Sequence, residues 1–189
     1  STMLEFIAAR GSASFLQTPA WARVKSEWRG ERVGFYDGDE LTGVGLILYR
    51  KLPKLPRYLA YLPEGPVLDW SRDDIAEHFD ALVTHVKKRQ AFAVRIGPAV
   101  VHRIWGTKTI KTAIADDNIT SLTEVEPDVV TPEGEHVVSV LKQGGWITDE
   151  TGQGFAAGQP QFNFQLSLRH EDGTQKSEDE LLKGMNQLW

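Results

Sequence analysis

Two cations in this chain stand where side-chain type and spacing could do chemistry. Lys25 lies in "SFLQTPAWARVKSEW" (residues 14–28), between Trp21 and Trp28. Arg95 lies in "AFAVRI" (residues 91–96), on the strand face of Ala91 and Ala93 and opposite Phe92, Val94 and Ile96. A lysine on the edge of an apolar helical stripe either snorkels to water or turns into a cleft. An arginine in a short strand needs a partner, either a structural carboxylate or an anionic ligand. Arg supplies a planar fork and Lys a point charge, so together they could address a phosphate. Spacing alone does not bring them together, and the competing reading makes both tryptophans core and Arg95 half of a salt bridge.

Other chemistry is thinner. His78 and His85 lie seven apart on one predicted helix, with Asp74 a turn before His78. That spacing could orient a ligand pair, but surface histidines on an amphipathic helix are the commoner arrangement and the expectation here. The chain has no cysteine, hence no thiolate ligand, disulfide or cysteine nucleophile. No Gly-x-Ser-x-Gly elbow, Walker loop or His-Glu-x-x-His occurs. "GQGFAAG" (residues 152–158) precedes a strand pattern instead of opening a helix, so it reads as a linker. No metal or cofactor is expected. The basic loop "YRKLPKLPRY" offers Arg50, Lys51, Lys54 and Arg57 either as a solvated surface or as a contact for tRNA or an anionic membrane.

The elements that must position these residues follow from periodicity. Thr18 and Pro19 open a helix over about 19–29, with Trp21, Val24 and Trp28 as one stripe. "RVGFYDGDELTGVGLILYRKL" reads as strands around an Asp-Gly turn. Residues 71–89 form the clearest helix: Ser71 caps it, and Ile75, Phe79, Leu82, Val83 and Val86 make its buried face. It joins "YLAYLPEGPVLD", a strand interrupted by a Gly65-Pro66 turn, to "AFAVRI" as a strand–helix–strand unit, so part of the sheet is parallel. Residues 116–135 carry seven acids and no Lys or Arg, and read as a solvated excursion before a helix over 133–143. "QFNFQLSL" alternates as a strand, and Ser177 with Glu180 forms a capping box for a last helix. Leu181, Leu182, Met185, Leu188 and Trp189 begin an apolar stripe there with no closing cap, which reads as a helix cut from a longer protein and open to self-association.

Composition sets the class. With 41% hydrophobic and 25% charged residues the chain is globular, and a net charge of −5 argues against a general nucleic-acid coat. Neither a run of about 20 apolar residues nor a signal-peptide pattern is visible, which fits a cytoplasmic protein.

The blocks "SFLQTPAWARVKSEW", "YLPEGPVLD", "AVRIGP", "LKQGGW", "GQPQFNFQLSL" and "SEDELLKGMNQLW" occur in an order that resembles the FemABX-type peptidyltransferases. These are also called interpeptide bridge formation enzymes or methicillin-resistance factors, and the long excursion before "LKQGGW" is most similar to actinobacterial members. The resemblance implies an α/β fold of two GNAT-like acyltransferase domains with mixed sheets. Residues 4–158 would be the first, and 159–189 the opening strand and helix of a truncated second. It implies transfer of an amino acid from aminoacyl-tRNA to the stem-peptide amino group of a UDP-muramyl or lipid II precursor, at the inner face of the membrane. By the same resemblance Lys25 contacts substrate and Phe92 stands where relatives have a substrate-contacting tyrosine; Arg95 joins them as a substrate-binding candidate from its strand position alone. Gly97 replaces an acid and Gln161 an arginine.

An aminoacyl ester is already activated, so no enzyme nucleophile is needed. The acceptor amine, with a pKa of about 10.4 when free, must lose a proton. The family points to the substrate's own phosphate, and no residue here is assigned as the base. A chain holding only part of the two-domain cleft is expected to be inactive alone. Two other classes compete: an acetyl-CoA-dependent N-acetyltransferase, which would need an (Arg/Gln)-x-x-Gly-x-(Gly/Ala) turn at a helix start, and a non-catalytic tRNA or membrane-binding module.

Overall fold

The computed structural model describes residues 2–10, 13–148, 162–170 and 172–186. The chain forms two compact units, Ser1–Ile104 with Val129–Gln159, and Trp105–Asp128 with Pro160–Trp189.

The first unit is built on a hairpin. Strands β1 (Arg29–Asp37) and β2 (Glu40–Lys51) pair antiparallel around Gly38, whose φ of 57° the Asp-Gly signal anticipates. One edge of β2 pairs with β1 along its length. Its other edge is shared: β3 (Tyr58–Leu62) takes Leu48–Lys51, and β4 (Val67–Leu68) takes Gly43–Val44. Strand β5 (Ala91–Ile96) then lies parallel to β3, reached through helix α3 (Ile75–Lys88). The expected strand–helix–strand unit is therefore present, and the sheet is mixed.

Both faces of β2 are covered, which is why Thr42–Tyr49 are buried without a break. On one face Ile47, Tyr49, Ala60 and Leu62 pack against Leu82 and Val86 of α3. On the other, Val44, Leu46 and Leu48 meet Met3 of α1 (Thr2–Ala8), with Phe6, Trp21 and Trp28 half-buried around them. Helix α5 (Pro132–Gln143) is capped by Thr131, whose hydroxyl accepts the Gly134 N–H, and stops at Gly144–Gly145 as expected. Its Val137 packs against Ile75 and Phe79 of α3. A short ribbon, β6 (Arg103–Ile104) with β7 (Val129–Val130), precedes it.

Two helices are shorter than periodicity predicts. Helix α2 spans Pro19–Val24, not 19–29. The ladder from Arg29 to Tyr49 takes the chain into β1, so Trp21 and Trp28 reach one apolar cluster from different elements, and Val24 is 63% exposed. Helix α3 begins at Ile75, not at Ser71, whose hydroxyl instead donates to Asp69 (2.6 Å). Arg72 forks onto Asp74 and also reaches Asp37. The predicted face of Ile75, Phe79, Leu82 and Val86 is buried, and Val83 only partly.

Where β3 gives way to β4, the edge of β2 lacks a strand partner, and a side chain fills the gap. Gln17 is fully buried. Its Oε1 accepts the Leu46 N–H (2.8 Å) and its Nε2 donates to the Pro63 carbonyl (2.6 Å). Gly65 permits this approach, because a Cβ there would lie 2.3 Å from Gln17 Cδ. The stretch Phe15–Gln17, one 3₁₀ turn, is thus tied to the sheet immediately before α2.

In the second unit, helix α4 (Thr107–Ile114) is capped by Asp128, which accepts from the Gly106 N–H (2.6 Å) and the Thr109 hydroxyl (2.7 Å). One acid of the 116–135 excursion therefore has a structural task. Trp105 stacks edge-on to Phe162 and donates to the Val125 carbonyl. Residues 162–168 form no strand, contrary to their alternation: no edge among the described residues pairs with them, and Phe164 and Leu168 stay 78% and 60% exposed. A lone bridge joins Arg169 and Gln175. The capping box before α6 (Glu178–Asn186) is present, with Ser177 N–H and Oγ both donating to Glu180 (2.8 and 2.7 Å). "GQGFAAG", Gln161, Leu188 and Trp189 lie outside the described residues. No described helix is long and apolar enough to cross a membrane.

Candidate functional site

Lys25 closes α2. Its N–H bonds to the Trp21 carbonyl (2.9 Å), its own carbonyl receives the Trp28 N–H (2.9 Å), and its ammonium lies 5.5 Å from the Trp21 ring centroid. Phe15 braces that ring edge-on at 5.5 Å. Trp28 approaches Tyr61 of β3 (6.2 Å between rings), and the Arg50 guanidinium lies over Trp28 (5.7 Å). Tyr61 is the register partner of Arg95 on β5 and of Leu48 on β2. Because Leu48 belongs to the cluster beneath Trp21 and Trp28, cross-strand pairing places Arg95 on that same face. Lys25 and Arg95 thus share one side of the sheet, with Trp28 and Tyr61 along it.

The β5 pattern differs from strict alternation. The register slips between Tyr58↔Ala91 and Leu59↔Ala93, leaving Phe92 as the extra residue. Ala91 joins the α3-side core, where Val94 and Ile96 also pack, so it is not on the Arg95 face. Phe92 belongs to neither face's core and is 55% exposed at the bulge, away from the Tyr61–Arg95 pair.

The histidines occupy the opposite side. His78 is buried, not on the surface. The Asp74 carbonyl (2.9 Å from Nδ1) can only accept, so Nδ1 donates to it, and Nε2 lies within hydrogen-bond distance of the Thr42 hydroxyl (2.7 Å). His85 Nε2 lies instead 3.3 Å from Glu31. The pair does not converge on a ligand, and the described residues hold no group of three that could grip a metal ion. A cavity of about 350 Å³ opens between β1 and α3, lined by Val33, Phe35, Asp37, His78, Leu82 and His85. The sequence marked only its helix wall, through the spacing of Asp74, His78 and His85; the β1 wall meets it through the hairpin and the crossover helix.

Glu31 anchors the end of the sheet nearest Lys25. It accepts from the Tyr49 hydroxyl (2.8 Å) and is forked by Arg89. Partial burial pushes its pKa up, but hydrogen bonds from Arg89 and Tyr49, with His85 close by, outweigh that and hold the carboxyl at about 2. Burial, and then the Glu31 contact, push the Tyr49 phenol well above its ordinary value. A carboxylate with a depressed folded pKa stabilises the fold above its unfolded value of 4.5, and that contribution is lost as pH falls toward 2. The shift converts to about 3 kcal/mol, and solvent around Arg89 reduces it to about 1–2 kcal/mol. Glu31→Gln is expected to lower stability by that amount at neutral pH and to flatten the acid limb in urea unfolding. An unchanged limb would contradict the assignment.

Over 98 residues the chain is 34% identical to a lipid II:glycine glycyltransferase of Staphylococcus saprophyticus, covering 50% of this chain and 24% of that protein. It is 35% identical to a Staphylococcus haemolyticus protein of the same name, again over 98 residues. The chain thus spans about a quarter of the length of these relatives. A crystal structure of FemX is similar with a TM-score of 0.49 and 24% identity, over 75% of this chain and 29% of that one. The family model described as FemAB matches residues 2–189, so the chain belongs to the FemAB family.

Proposed function

We propose that this chain carries the acceptor-binding part of an aminoacyltransferase that builds peptidoglycan cross-bridges. The observation that carries the reading is the FemAB match over residues 2–189. The related staphylococcal proteins are named for glycyl transfer to lipid II, which makes a muramyl-peptide diphosphate the acceptor class. The face with Lys25 and Arg95 suits such a ligand: two cations for phosphate, with Trp28 and Tyr61 lining the same side of the sheet. Aminoacyl-tRNA is the donor in this reading. Its ester brings its own activation, so the protein's task is to hold an amine against it, and positioning of that kind is worth about 7–11 kcal/mol of barrier. Residues 4–158 form a first GNAT-like domain in the proposal and 159–189 open a second. With about a quarter of each relative covered, this chain by itself binds acceptor without transferring an amino acid.

Calorimetry with UDP-muramyl-pentapeptide and with acetyl-CoA tests the reading. The muramyl nucleotide is expected to bind at low salt, weakening as salt screens the contact, and acetyl-CoA is expected not to bind. Micromolar acetyl-CoA binding with none for the muramyl nucleotide would replace the proposal with an acetyltransferase.

A further inference from the structure

We propose that the end of the sheet carrying the β2–β3 loop is a docking surface for an anionic lipid bilayer. Four strand termini meet there, because Arg29 pairs with Tyr49, Lys51 with Tyr58, and Tyr58 with Ala91. Residues 25–31, 49–58 and 87–91 bring nine Lys and Arg against two acids to this end, in a chain whose net charge is −5. One of the two acids, Glu31, is already engaged by Arg89. Arg50, Lys51, Lys54, Arg57, Lys87 and Lys88 are exposed, and none pairs with a carboxylate among the described residues. Charge is therefore segregated and unspent.

The surface is also amphipathic. Leu55 is 55% exposed between Lys54 and Arg57, at a loop closed by the Leu52 N–H on the Arg57 carbonyl (2.9 Å). Pro53 and Pro56 have no N–H, so this loop leaves fewer backbone donors to desolvate at a headgroup boundary. An RNA partner would meet the same cations but would stack bases on open aromatic faces. Here the nearest rings are already occupied: Arg50 lies over Trp28 (5.7 Å), and Arg29 over Tyr49 (4.9 Å) and Tyr58 (5.7 Å). A bare leucine within a ring of lysine and arginine fits the boundary of an anionic bilayer, where cations meet headgroups and the apolar tip enters the acyl region. The inference goes beyond the acceptor reading and uses a different loop.

Flotation of the full chain with vesicles is the test, using phosphatidylcholine alone or with one third phosphatidylglycerol, without muramyl lipid or RNA. The protein is expected to float with the anionic vesicles at low salt and to stay behind with the neutral ones. Each basic residue near the surface contributes about fivefold, so R50Q/K51Q/K54Q/R57Q is expected to weaken partitioning by more than tenfold. Leu55→Ser is expected to weaken it several-fold without changing its salt dependence. Thermal unfolding of both variants confirms that the fold is intact. The proposal is overturned if the wild type ignores anionic vesicles, or if the folded quadruple variant floats as the wild type does. It is equally overturned if the quadruple variant loses binding to uncharged tRNA while vesicle binding persists. Acceptor binding is measured without vesicles, so either reading can fail alone.

Discussion

Gln17→Ala is expected to destabilise the protein by about 3–5 kcal/mol, enough to consume much of a small domain's stability. The effect is large because the side chain does what a strand would otherwise do. The Leu46 N–H and the Pro63 carbonyl face the interruption between β3 and β4, where no ladder reaches them. Each buried group left unpaired costs about 1–3 kcal/mol, and the emptied volume adds a cavity contribution. Gln17→Glu is not a rescue, since it presents a carboxylate oxygen to the Pro63 carbonyl and buries a charge. Urea unfolding measures the loss, and a midpoint close to the wild type would show that water or a backbone shift replaces the glutamine. Because Gln17 immediately precedes α2, the same substitution should also loosen the placement of Lys25.

Lys25→Ala is expected to weaken binding of UDP-muramyl-pentapeptide by about 30–100-fold, or about 2–3 kcal/mol, the range for a hydrogen bond to a charged group. Lys25 is half-buried at a helix terminus whose carbonyl ties it to Trp28, so its ammonium is delivered from a fixed base, not from a free chain. Removing it leaves the Trp21 ring and the turn intact, since both are held by Phe15 and by backbone bonds. Loss of affinity without loss of stability is therefore the signature. Lys25→Arg should retain part of the affinity, because the charge survives while the geometry changes. An Ala variant that binds as the wild type does would remove Lys25 from the site.

What could be read in the sequence was local. The Asp-Gly hairpin, the end of α5 at two glycines and the Ser177–Glu180 box each depend on residues a few positions apart, and the crossover from β3 through α3 to β5 on elements that follow one another in the chain. What escaped depends on tertiary pairing. Gln17 looks like any polar residue until the β3–β4 interruption is known, and His78 becomes core only because Thr42 lies across from it. The stripe of Trp21, Val24 and Trp28 suited a longer helix, yet strand pairing at Arg29 ended it. Alternation at 162–168 gave the right period, but a strand needs an edge as well as a face. Of the site, Lys25 and Arg95 were visible as cations beside apolar runs. That they share a face followed only from the register of Tyr61 with Leu48 and Arg95.

The most direct test of the account is an NMR titration of the labelled chain with UDP-muramyl-pentapeptide at low salt. The indole N–H signals of Trp21 and Trp28 and the amides of Lys25, Tyr61 and Arg95 should shift together. The amides around His78 and His85, across the sheet, should stay in place. Shifts confined to the cavity between β1 and α3, or no saturable shift at Trp28 and Arg95, would contradict the placement of the acceptor site on the Lys25 face.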